Sequence, residues 1–141
     1  MDFITTFKIC SSGLSAQRAK MDVVTSNLAN AGTTKTEAGG PYRRKMVVLT
    51  SEEVQEPFDR TLEGALAEVK VDQVTEDPTP PKSVYDPGHP DADAKGFVLL
   101  PNVNAIQEMT DMINVGRSYE AAVTAFDATK NMALKTLEIG K

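Results

Sequence analysis

A chain of 141 residues has room for one ordinary domain or for a helical element with a small insertion. Its net charge of −5 argues against general nucleic-acid binding, which needs a basic face able to release counterions from phosphates. An apolar fraction of 40%, no tryptophan and a single cysteine exclude an internal disulfide and do not promise a large core, so some apolar surface is expected to be buried between subunits.

The charge is unevenly placed. Residues 1–50 carry seven basic and three acidic groups, residues 51–93 three and twelve, and residues 94–141 five of each. The middle is therefore a separate electrostatic region, expected to face solvent. The opening run Met-Asp-Phe-Ile-Thr-Thr-Phe-Lys has neither a basic start nor an unbroken apolar stretch, so no secretory signal is expected. No apolar run approaches the length of a bilayer span.

From Phe3 the positions Phe7, Cys10, Leu14, Gln17, Met21, Val24, Leu28 and Ala31 follow at alternating spacings of four and three. That repeat predicts a helix over about 3–30 that lies along another helix for its whole length, with Gln17 the one polar break and Cys10 a small hydrophobe. Val23 to Thr34 carries no charge, which fits close packing among small groups and side-chain amides. Gly32 is the expected stop. Thr33 to Pro41 is turn and loop, broken by Gly39-Gly40-Pro41.

Tyr42 to Thr50 is expected to be a strand with a basic start, where Arg43, Arg44 and Lys45 form a solvated edge. Residues 51–65 resemble an acidic loop. Their carboxylates lack the separate buried settings that general acid and base pairs need. Leu66 to Thr75 alternates Ala67, Val69 and Val71 with Glu68, Lys70 and Asp72, a half-buried strand. Ser83 to Tyr85 and Gly96 to Leu100 are short extended pieces on either side of a turn-rich run, Asp86 to Asp93. Its one histidine among aspartates has neither the donor set of a zinc site nor the spacing of a calcium loop. Neither a metal nor another cofactor is expected.

Asn102 to about Ile139 returns to helix. Ala105, Met109, Met112, Gly116, Tyr119, Val123, Phe126, Lys130, Ala133 and Leu137 repeat the four-three spacing, so the two ends are expected to pair. The expected fold is mainly α with a small β insertion: long N- and C-terminal helices in an antiparallel coiled-coil-like hairpin, with short strands between them. The expected boundaries are 1–34 for the first helix and its terminating loop, 35–101 for the β-rich acidic insertion and 102–141 for the last helix. Ile4, Ile9, Val23, Ile106, Ile113, Ala122, Met132 and Leu134 lie off these seams. Either the β region folds back over them or other subunits cover them.

Ser12-Gly13-Leu14, the run Ser26 to Thr34, Gly40-Pro41-Tyr42-Arg43-Arg44, Tyr85-Asp86-Pro87-Gly88-His89-Pro90-Asp91-Ala92, Pro101-Asn102-Val103-Asn104, Arg117-Ser118-Tyr119 and the closing Lys135 to Lys141 together resemble the bacterial flagellar basal-body rod proteins. The middle motifs and the length are similar to the C-type, proximal-rod branch of that family. The resemblance implies a structural, non-enzymatic subunit exported by the flagellar type III apparatus and stacked helically in the periplasm, where the rod transmits torque and encloses the export channel. Implied partners are other rod subunits, further copies of the chain, and the export-gate and membrane-ring base, with no nucleic acid and no small-molecule substrate. The candidate assembly residues are Phe3, Phe7, Leu14, Met21, Val24, Asn27, Leu28 and Asn30 on the first helix. Those on the last are Met109, Met112, Tyr119, Val123, Phe126 and Leu137. A distal-rod or hook subunit, or a cell-wall hydrolase working through Glu52, Glu53 and Glu56, are the alternatives.

Overall fold

A computed structural model describes residues 3–53 and 66–139. Most of the acidic loop, from residue 54, lies outside the described residues.

Helix α1 spans Phe3–Ala29 and helix α2 Ala105–Ile139, about 40 Å and 52 Å long at 1.5 Å per residue. They pair antiparallel. Asn27 meets Glu108 near one end, and the rings of Phe7 and Phe126 meet edge-on near the other, 5.1 Å apart. Asn104 caps α2 by accepting from the N–H of Ile106. Asn30 closes α1: its N–H and its side-chain Nδ2 both donate to the carbonyl of Ser26, and its Oδ1 accepts from the Thr33 hydroxyl. Gly32 is not the left-handed stop expected of it, since positive φ occurs at Gly39, Gly40 and Gly96. The amide side chain does that work instead.

Between the helices lie two antiparallel ribbons. Strand β1 (Lys45–Glu53) pairs with β2 (Ala67–Glu76), and β3 (Lys82–Tyr85) with β4 (Phe97–Leu100). The first ribbon is irregular after Val48: Val48 faces Gln73 and Leu49 faces Val71, so Asp72 is left without an opposite residue. Such a bulge increases the right-handed twist and lets the ribbon follow a helix. It runs back along α1, where the N–H of Val69 donates to the Ser12 hydroxyl at 3.2 Å. The β region thus covers one flank of α1, and α2 takes the other.

The second ribbon is held by its turn. Asp93 accepts from the N–H groups of Lys95 and Phe97, and Asp86 N–H donates to the carbonyl of Gly96. Gly96 has φ near +80°, and a Cβ there would come within 2.9 Å of the Tyr85 ring, so the position requires glycine. Tyr85 in turn stacks edge-on against Phe97. His89 accepts from the N–H of Asp91 through Nδ1, which makes it part of the turn.

Two expectations need correction. The strand begins at Lys45, three residues later than expected. In addition, the buried stripe of α2 runs through Glu108 and Thr129, with Ala105, Met112, Val115, Ala122, Phe126 and Ala133 half-buried along it. Met109, Val123 and Leu137, expected on that seam, lie beside it and are exposed. Glutamate and threonine at the inner positions misled an apolar reading. Thr129 bonds back to the carbonyl of Ala125, which satisfies its hydroxyl inside the pair.

Candidate functional site

The most tightly built part of the molecule is a polar joint where α1, the start of β1, the end of β2 and the first turn of α2 converge. Asn27 lies at its centre, fully buried, with all four hydrogen bonds of its amide in use. Nδ2 donates to the carbonyl of Lys45 at 2.9 Å and to Glu108 Oε2 at 3.1 Å. Oδ1 accepts from the N–H of Lys45 at 2.8 Å and from the Tyr42 hydroxyl at 3.1 Å. A side-chain amide therefore pairs with both backbone groups of Lys45, as a neighbouring strand would.

Glu108 has no exposed surface. Its second oxygen accepts from Arg44 Nε at 2.6 Å, a charge-assisted bond. The rest of the Arg44 guanidinium lies 3.6 Å from Asp77 and 3.8 Å from Asp111. Burial by itself would lower the Arg44 pKa. The bond to Glu108 and the fields of Glu108, Asp77 and Asp111 outweigh it and hold the group above its ordinary value. Backbone bonds complete the joint: Arg44 N–H donates to Asn102 Oδ1, Arg44 carbonyl accepts from Asp77 N–H, and Asn102 Nδ2 donates to the carbonyls of Asp77 and Thr79. Arg44 is therefore a structural cation, in contrast to the solvated strand edge expected of it. Arg43 and Lys45 are exposed as that reading requires.

Asp77 is held below the usual carboxylate range, chiefly by hydrogen bonds from the hydroxyl and N–H of Thr79, with Arg44 adding to the effect. A lowered carboxylate stabilises the fold fully above its unfolded value of 3.8, and that contribution is lost as pH falls through the folded value. Urea midpoints measured down to pH 2 should fall more steeply in the wild type than in Asp77→Asn; equal slopes would show that Asp77 carries no such linkage.

The other candidate residues divide into two groups. Val24 and Asn27 are buried within the chain, and Phe7, Leu14, Met21, Leu28, Asn30, Met112 and Phe126 are half-buried. Phe3, Met109, Tyr119, Val123 and Leu137 stay exposed. Ile106 and Ile113, placed off the seam by the sequence, form with Met109 an apolar row on the outer side of α2, where they are 78, 58 and 52% exposed. Their spacing of three and four places them on one face. Beyond them the same face turns polar, through Arg117, Glu120, Thr124, Asp127, Asn131, Lys135 and Glu138, all exposed. A helical-wheel count of exposed positions would have found this switch, but only once the inner face was known.

The far end of the hairpin is also uncovered. Helix α2 continues thirteen residues past Phe126, whereas α1 continues only four beyond Phe7, and Met132, Leu134, Leu137 and Ile139 of the overhang are exposed. Among the described residues six apolar side chains are buried, Pro101 included, too few for the chain to bury its own apolar surface. No group of side chains among the described residues could hold a metal ion, and no helix there is long and apolar enough to cross a membrane.

Two family models match the chain at its ends. One, described as flagella basal body rod protein, covers residues 7–35, and the other, described as flagellar basal body rod FlgEFG protein C-terminal, covers residues 94–139. These are α1 with its closing loop, and β4 with α2. Whole-chain relatives agree. The flagellar basal-body rod protein FlgC of Bacillus subtilis is 47% identical, with 96% of this chain and 97% of the relative covered. That of Borreliella burgdorferi is 39% identical over 99% and 98%, and that of Escherichia coli O157:H7 is 40% identical over the full length of both. With this similarity running through both helices and the joint between them, the chain belongs to the FlgC family of flagellar basal-body rod proteins, a family of structural subunits of the rod and not of enzymes.

Proposed function

We propose that the chain is laid into the proximal rod as one unit of a helical stack, which transmits torque across the periplasm and encloses the export channel. Its partners there are other rod subunits, further copies of itself, and the export-gate and membrane-ring base. It reaches them through the flagellar type III apparatus. The helices, residues 1–34 and 102–141, supply the inner assembly layer, and residues 35–101 form an outward-facing insertion. The observation that supports this most directly is the outer face of α2, whose first turns present an apolar row and whose later turns present charge. The apolar row of Ile106, Met109 and Ile113 suits a neighbouring subunit, and the polar row from Arg117 to Glu138 suits a water-filled channel. Contacts between unlike surfaces that do not close produce a helical stack.

Ile106→Ser combined with Ile113→Ser tests this. Both side chains stand in solvent in the single chain, so circular dichroism and melting of the purified variant should match the wild type. Rods should fail to form and cells should be non-motile. Normal motility with the variant present in isolated basal bodies would overturn the proposal.

A further inference from the structure

The apolar stripes of the two helices cannot by themselves define how far one slides along the other. On α1, Phe7, Leu14, Met21 and Leu28 recur every seven residues, and on α2 Val115, Ala122 and Thr129, or Met112, Tyr119 and Phe126, do the same. A slip of one heptad, about 10 Å along the axis, replaces each layer by a similar one. One layer has no substitute. Asn27 and Glu108 face each other at 3.1 Å, and Asn27 also holds Lys45 and Tyr42 while Glu108 holds Arg44. Slipping would set Glu108 opposite Lys20, or opposite Thr34 beyond the end of α1, and in either direction would cost it the bonds to both Asn27 and Arg44 and leave the buried Asn27 amide without its carboxylate partner. Gln17, half-buried on α1, makes no hydrogen bond among the described residues, and the buried Thr5 offers a hydroxyl in place of an amide, so neither can take the same role. Asn102 bonds to Arg44 and to the carbonyls of Asp77 and Thr79, all outside α1, so it fixes the linker and not the helix pair.

We propose that Asn27, Glu108 and Arg44 are the specificity-determining residues of the helix pair: they select one register of α1 on α2 and tie it to the seating of β1. Buried polar groups in otherwise apolar helix pairs specify register at a cost in stability. The assignment therefore separates two quantities that a purely stabilising role would keep together.

The test replaces all three residues at once, Asn27→Leu, Arg44→Met and Glu108→Leu, in the full chain with Cys10→Ser. Nitroxide labels go on cysteines introduced at Thr25 and Lys130. Both sites are exposed and lie far apart along the pair, so an axial slip changes their separation almost fully. The unsubstituted joint should give one distance population. The triple variant should stay folded and show a second population displaced by about 10 Å, one heptad. A single unshifted population in a folded triple variant would overturn the proposal. So would a triple variant that fails to fold, because the joint would then be a source of stability and not of register.

Discussion

Arg44→Met should lower the unfolding free energy by about 3–5 kcal/mol, the usual cost of removing one partner from a buried ion pair. The size follows from Glu108. That carboxylate has no exposed surface, and Arg44 is its only cationic neighbour within ion-pair distance among the described residues. After the substitution one Glu108 oxygen loses a 2.6 Å bond while the other keeps only the Asn27 amide. Asp77 and Asp111 lose their neighbouring cation at the same time. Arg44→Lys should recover only part of the loss, because an ammonium offers a single point of charge where the guanidinium faces three carboxylates. Urea denaturation of the three proteins decides it: a methionine variant within about 1 kcal/mol of the wild type, the range of an exposed pair, would mean that the joint admits water.

Asn27→Asp should be nearly as damaging, and in a pH-dependent way. The exchange of one NH2 for oxygen removes the donor to both the Lys45 carbonyl and Glu108 Oε2. Two acceptors then face each other at about the 3.1 Å now spanned by a hydrogen bond. Two carboxylates so placed cannot both stay ionised, so near neutral pH the folded variant keeps a proton that the unfolded chain has already released. Stability in the variant must then rise as pH falls from neutral toward the ordinary carboxylate range, the reverse of the trend expected from Asp77. The loss at pH 7 should be on the order of 3 kcal/mol, from two lost bonds to buried acceptors. Melting temperatures that are flat between pH 5 and 8 in Asn27→Asp would show that no proton is taken up.

The two substitutions differ in what they ask of the wider particle. Arg44 and Asn27 lie inside the chain, so their variants should fail before assembly begins. The pair Ile106 and Ile113 should leave the chain intact and fail only during assembly. Comparing them separates folding from incorporation.

Much of this arrangement follows from local chemistry that a sequence displays. The seven-residue spacing from Phe3 to Leu28 forces a long helix with one committed face, and the C-terminal repeat supplies a mate of greater length. Alternation over 67–75, and the prolines and glycines around 78–96, place short strands between them. Asp93 and Gly96 determine the second turn through bonds and a positive φ that few other residues could supply. Composition alone, with a modest apolar fraction and few aromatics, led to the expectation of burial between subunits, and the acidic middle to that of a solvent-facing region.

The inner face of α2 and the role of Arg44 could not be read in the same way. Apolar periodicity assigns the inside to Met109 and Val123 because it counts transfer from water and nothing else. In the folded chain Glu108 takes the inner position, since residues 27 and 44, distant in sequence, bring it an amide and a guanidinium that together offset its burial. Met109 is turned outward in consequence. Arg43, Arg44 and Lys45 are adjacent and chemically alike in charge, yet only Arg44 is drawn inward, by three carboxylates from two other elements. Helices, strands and turns are set by neighbours along the chain, which sequence lists directly. Which polar residue is buried is set by partners in space, and only the tertiary structure brings those partners together.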